Sequence, residues 1–90
     1  MSHHFMLIHH KVKDYAKWKA GYDAHVNARR EAGLEERQLL RSEDDPNEVT
    51  AIFEATNLQR ARDFAKSPDL QKTMVQVGVV GKPDITFLRD

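Results

Sequence analysis

The chain has 90 residues and no cysteine, and its 14 Lys plus Arg are balanced by 14 Asp plus Glu. The length leaves room for one domain spanning residues 1–90, and the lack of thiols excludes disulfides and thiolate metal sites. A formal net charge of zero supplies no field to steer the chain toward nucleic acid or an anionic membrane, and it favours self-association.

The longest apolar run near the N-terminus is Phe5-Met6-Leu7-Ile8. It is too short for a signal-peptide core or a membrane span, so a soluble, cytoplasmic protein is expected. A domain this small buries roughly 60–65% of its unfolded surface, which leaves its core marginal unless something else covers apolar area.

Residues 3–12 read as the first strand. Alternation puts Phe5, Leu7 and His9 on one face and Met6, Ile8, His10 and Val12 on the other. Large apolar groups on both sides are the mark of a strand covered twice. Asp14 is the expected N-cap of a helix from Tyr15 to Ala32. At 100° per residue, Tyr15, Trp18, Tyr22, Val26 and Arg29 form one stripe with His25 on its flank. Gly33 is the expected left-handed residue that ends this helix, followed by the apolar Leu34.

A second strand is predicted over Glu36 to Glu43. The turn Asp45-Pro46-Asn47-Glu48 has an acceptor side chain first, a φ-setting Pro second and a tolerant Asn third. The third strand, Val49 to Ala55, has one wholly apolar face (Val49, Ala51, Phe53, Ala55), and Ile52 adds apolar area to the other. Asn57 caps a helix from Leu58 to about Lys66, with Leu58, Ala61, Phe64 and Ala65 inward. Ser67-Pro68-Asp69 signals a fresh helix start. Leu70, Met74 and Val77 carry its apolar stripe to Gly78. Gly81-Lys82-Pro83 reads as a loop, and Asp84 to Leu88 as the last strand.

The order is therefore βαββαβ. With right-handed crossovers and one hairpin, this predicts an α+β, ferredoxin-like fold: a four-stranded antiparallel sheet with helices on one face. Strands one and three would leave a greasy sheet face bare. The simplest cover is a second copy, sheet to sheet, so a homodimer is expected.

Four segments carry a family likeness: His9 to Trp18 (HHKVKDYAKW), Arg41 to Asn47 (RSEDDPN), Ser67 to Leu70 (SPDL) and Gly78 to Gly81 (GVVG). With these the chain resembles the dimeric α+β barrel superfamily, and most of all its small antibiotic biosynthesis monooxygenase-like and cyclase-like proteins. The resemblance implies two subunits with packed sheets, and a pocket between sheet and helices in each. It implies chemistry without a cofactor, as in the cofactor-independent oxygenases and polyketide cyclases of the superfamily. The haem-degrading members use a His on the second helix; here Leu58 to Val77 contains none, and Trp18 stands on the first helix. The oxygenases' Asn-Trp-Arg set is not reproduced at matching positions either.

Neighbouring His9 and His10 point to opposite faces and cannot share a metal, and His4 and His10 stand roughly 20 Å apart along one face. No metal site is therefore expected. His10 and His25 are the candidate proton-transfer groups, because imidazole titrates near neutrality and could take a phenolic or enolic proton. Trp18 and Tyr22 could stack on a flat ligand, against the alternative of ordinary core packing. Arg29 and Arg41 could hold an anionic oxygen, against the alternative of pairing with a carboxylate of the chain such as Glu43 or Glu54.

RNA recognition on this fold needs aromatics on the central strands in a basic, Gly-flanked context, which Thr50 to Glu54 lacks. Two functions of different class remain. One is an enzyme acting on a hydrophobic aromatic or polyketide-like small molecule. The other is a non-catalytic homodimeric module for ligand binding or assembly.

Overall fold

Alternating apolar residues build the two central strands, and the helices are laid over one side of them. The computed structural model describes residues 3–90. In chain order the elements are β1 (His4–Val12), α1 (Tyr15–Ala24), α2 (Val26–Glu31), β2 (Leu34–Arg41), β3 (Glu48–Ala55), α3 (Leu58–Ala65), α4 (Pro68–Gln76) and β4 (Val79–Arg89). The sheet order is β2-β3-β1-β4, with every neighbouring pair antiparallel. This is the ferredoxin-like α+β arrangement that the element order predicts.

Met6, Ile8, His10 and Val12 of β1 and Val49, Ala51, Phe53 and Ala55 of β3 are all buried. They face Trp18, Ala61 and Leu70 from the helices, with Tyr22, Phe64 and Met74 packed around them. Three of the four helix starts form as their caps dictate. Asp14, Asn57 and Ser67 each accept a hydrogen bond from the backbone N–H three residues on, which satisfies a donor the helix cannot. Gly33 and Gly78 take the left-handed conformation, at φ 76° and 87°, where a Cβ would be strained.

Four features differ from the sequence reading. The predicted helix from Tyr15 to Ala32 is two helices, broken at His25. The break keeps both pieces on the twisted sheet, so that Trp18 of α1 and Arg29 of α2 are both buried. β2 begins at Leu34 rather than Glu36, because Leu34 pairs with Ala55 and enters the core. It ends at Arg41, where Ser42 turns the chain by accepting from the N–H groups of Asp44 and Asp45. Finally, Gly81-Lys82-Pro83 is not a loop outside the sheet. It is a bulge within β4, since His9 pairs with Asp84 while Lys11 pairs with Val80. Three residues of β4 thus stand opposite His10 alone.

A second bulge, between Glu36 and Gln38 of β2, resets the alternation. It places Glu36 opposite Phe53 and Leu39 opposite Ala51, both on the helix side of the sheet.

Candidate functional site

A cavity lies between the helix side of the sheet and the four helices. Its lining includes Ile8, His10, Ala51 and Phe53 from the central strands, and Trp18, Tyr22, His25 and Arg29 from the first helical segment. Phe64, Leu70, Thr73 and Met74 close it from the second. Five of the six predicted site residues are therefore brought together: His10, His25, Trp18, Tyr22 and Arg29.

Arg41 is not among them. At the hairpin end of β2 its guanidinium lies 3.7 Å from the centroid of the Tyr15 ring. Its Nε donates to the Pro46 carbonyl at 2.9 Å. Neither acid considered for it is its partner, and Glu54 pairs instead with Arg37 at 2.8 Å.

His10 occupies β1 at a position where Ile or Val would be ordinary. It is 7% exposed, and among the described residues neither Nδ1 nor Nε2 has a hydrogen-bond partner. Its ring meets Trp18 edge-on, with centroids 5.3 Å apart. Burial, assisted by neighbouring His9, lowers its pKa to about 4, so the imidazole is neutral at pH 7. An unpaired buried polar group costs on the order of 1–3 kcal/mol. This side chain is energetically wrong for a closed core and chemically suited to meeting a polar atom in the cavity.

Trp18 stacks on Tyr22 at 4.7 Å with 27° between planes. The Tyr22 hydroxyl donates to Glu36 Oε1 at 2.7 Å. Burial, followed by that carboxylate, pushes the phenol's pKa well above its usual value. Glu36 reaches Tyr22 from the helix side, the face it shares with buried Leu34 two residues before it. Arg29 is 8% exposed. Its guanidinium sits 3.7 Å from the Tyr22 centroid, and Nη1 donates to the Tyr22 carbonyl at 2.7 Å. Burial lowers its pKa from the ordinary value. Among the described residues, no carboxylate forms an ion pair with it.

His25, at the break between α1 and α2, pairs through Nε2 with Asp69 at 3.2 Å and stacks on Phe64 at 6.1 Å. It thereby ties the first helical segment to the start of α4. At the other end of α4, Gly21 lets α1 come close: a Cβ there would fall 2.1 Å from Val77 Cγ1.

The contribution of the second helical segment is what the sequence reading missed. Leu70, Met74 and Val77 were legible as an apolar stripe, and with Thr73 they line the cavity opposite Trp18. Among the described residues, no three His, Cys, Asp or Glu side chains gather closely enough to hold a metal ion. No helix there is long and apolar enough to cross a membrane.

No protein-family model matches the chain, and no curated protein does. Solved structures do. A candidate antibiotic biosynthesis monooxygenase from Bordetella bronchiseptica superposes with a TM-score of 0.79 at 19% identity, over 98% of this chain and 96% of that one. A second such candidate, from Nitrosomonas europaea, gives 0.69 at 15% identity, over 96% and 88%. A variant of SnoaB, a cofactor-independent oxygenase from Streptomyces nogalater, gives 0.68 at 14% identity, over 97% and 90%. At these identities the likeness is one of fold, and it is the fold that the four motif segments imply.

Proposed function

We propose that the cavity binds a hydrophobic small molecule with an acidic hydroxyl, such as a phenol or enol of aromatic or polyketide type, and that the neutral imidazole of His10 receives its proton. The observation that carries this reading is the pair of unbonded nitrogens on a buried ring lining a largely apolar cavity. Arg29, a buried cation without a carboxylate partner, lines the same cavity and would stabilise the anion left behind. Trp18 and Tyr22 are the flat walls, and His25 the polar group at the helix junction.

Proton removal is the step that a cofactor-independent oxygenase and a cyclase share. The resulting anion is electron-rich enough to react with dioxygen or to close on a carbonyl of its own. The oxygenase fold neighbours support this class of chemistry for the cavity. A second reading is favoured by the same residue: an imidazole whose pKa is about 4 is a weak base. It could serve only to orient a ligand in a non-catalytic module.

We also infer that a second copy covers the open sheet face. Phe5, Leu7 and Ile52 lie on it by alternation and register, with Leu40 and Leu88 exposed at 47% and 43%. That is an adhesive surface on a cytoplasmic-type small domain.

The reading is tested by nuclear magnetic resonance of the His10 ring nitrogens during titration with a phenol. A large shift at His10, together with weaker phenol binding by calorimetry in His10→Phe, is the expected result. No shift at His10 at any phenol concentration would remove it from the site.

A further inference from the structure

Outside the cavity, at the β2 edge of the sheet, a solvent-open cleft of about 530 Å³ runs between the first helical segment and β2. Tyr22 and Arg29 line it as well as the cavity, so these two side chains form the wall between them. The other charged residues along it are Lys19, Asp23, Arg30, Glu35, Glu36 and Arg37. We propose that this cleft is a second binding site, for the carboxylate of a small organic acid, held by Arg29 and Arg30. Nothing in this second site depends on the role given to His10.

Pairing within the cleft leaves one positive charge over. Lys19 is taken by Asp23 at 2.7 Å, and Arg37 by Glu35 and Glu54 at 3.3 and 2.8 Å. Glu36 accepts from the neutral Tyr22 hydroxyl at 2.7 Å. Among the described residues, Glu36, Arg29 and Arg30 form no ion pair. Two unpaired guanidiniums against one unpaired carboxylate leave a surplus of one charge. A monoanion balances it, and a phosphate dianion overshoots.

Arg29 separates this cleft from an ordinary charged surface. It is 8% exposed, and a charge held out of water is costly unless a counter-charge meets it. Its place in the last turn of α2 suits the helix dipole, but the dipole acts equally on exposed Arg30 and gives no reason for burial. Among the described residues, its side chain hydrogen-bonds through Nη1 alone, to the Tyr22 carbonyl. A guanidinium carries five N–H donors in one plane, so Nε and Nη2 remain for a ligand. A planar fork of that kind matches the two oxygens of a carboxylate. Arg30, the next residue, lines the same cleft and supplies the second cation.

Two sources fit: a carboxylate carried by the cavity's own ligand, reaching past the shared wall, or one on a separate small acid. The test uses the full chain and four probes: propionate, propylamine, phenol and para-hydroxyphenylpropionate, at constant ionic strength. Nuclear magnetic resonance follows the Nε–H groups of Arg29 and Arg30 and the ring nitrogens of His10. Propionate is expected to shift both arginine groups saturably, and propylamine neither. Arg30→Gln, at an exposed position, should weaken propionate about tenfold, the scale of one charge-assisted hydrogen bond. The hydroxyphenyl acid tells the sources apart. One equivalent shifting His10 and both arginines marks a single ligand, two equivalents mark separate molecules, and either count supports the cleft. An absent or unsaturable propionate shift at the arginines, or one matched by chloride, would overturn it. So would an Arg30→Gln variant that binds propionate as the wild type does. Phenol reports on His10 alone, so a failed phenol titration removes the base while propionate still decides the carboxylate site.

Discussion

The imidazole of His10 meets the indole of Trp18 edge-on, with ring planes 70° apart, and neither imidazole nitrogen bonds to any of the described residues. Phe at position 10 would keep that edge contact while removing both orphaned groups. His10→Phe is therefore expected to stabilise the fold by about 1–2 kcal/mol, since each unsatisfied buried group costs about that much. It should also weaken phenol binding. Urea denaturation measures the first effect. A loss of stability instead would show that His10 has a partner in solution, such as an ordered water.

The same residue makes stability depend on pH in a defined direction. Its pKa falls from 6.5 in the unfolded chain to about 4 in the fold, so between those values the unfolded state holds more protons. Stability from this group is thus fully present above pH 6.5 and is lost as pH falls toward 4, by roughly 3 kcal/mol in all. Denaturation midpoints at pH 7.5, 6, 5 and 4 should fall faster for the wild type than for His10→Phe. Parallel curves would mean that the ring titrates near its ordinary value.

How far the site was legible follows from what periodicity can and cannot carry. Alternation in β1 grouped His10 with Met6, Ile8 and Val12 on one face, and the 100° stripe grouped Trp18, Tyr22 and Arg29 on one side of the helix. Those are local regularities, and they survive in the fold. What lay beyond them was set by tertiary pairing. Gly81 and Pro83 are turn residues by composition, yet β1 holds both flanks of that segment in register and makes it a bulge. The bulge in β2 has no sequence mark at all, and it is what lets both Glu36 and Leu39 face the helices. Arg41 read as a candidate because a lone guanidinium in a strand needs an anionic oxygen, from the chain or from a ligand. In the fold Arg41 and Tyr15 satisfy each other at the edge.

Gly21 sits in the interior of α1, where Ala would ordinarily gain about 1 kcal/mol of helix propensity. Here the new methyl would meet Val77 Cγ1 at 2.1 Å, and an overpacked contact typically costs about 1–3 kcal/mol. Gly21→Ala is expected to destabilise by about 1–2 kcal/mol. Removing the obstacle in the double variant Gly21→Ala, Val77→Ala should recover most of it. A thermodynamic cycle tests this, and a coupling below about 0.5 kcal/mol would mean that the two helices do not touch there.

Arg29 reverses the usual rule for conservative replacement. Its plane lies on the Tyr22 ring while Nη1 bonds the Tyr22 carbonyl, a geometry that a lysine ammonium cannot reproduce. Arg29→Lys would leave a compact, strongly hydrated charge in a buried site with no carboxylate partner, whereas Arg29→Met fills the volume without a charge. The expected order of stability is therefore Met above Lys, by about 1–2 kcal/mol. Both variants should bind a phenol more weakly than the wild type. If Lys proves as stable as Arg, a carboxylate or solvent reaches position 29.

Leu7 stands at the middle of the open sheet face, opposite Ile52 of β3 on one side and Thr86 of β4 on the other. Burying several hundred Å² of such surface at about 25 cal/mol per Å² is worth many kcal/mol before association costs, comparable with the stability of the whole domain. Sedimentation of the wild type at micromolar concentration should accordingly give about twice the 10.4 kDa chain mass. A lysine at the centre of two facing sheets would be stripped of water without a partner. Leu7→Lys is thus expected to sediment as a single chain and to unfold at a lower denaturant concentration. The cavity lies on the other side of the sheet, so phenol titration of whatever Leu7→Lys remains folded should still shift the His10 ring. A wild type that sediments as one folded chain would show that the open face needs no cover, and the second copy would be discarded without touching the His10 site.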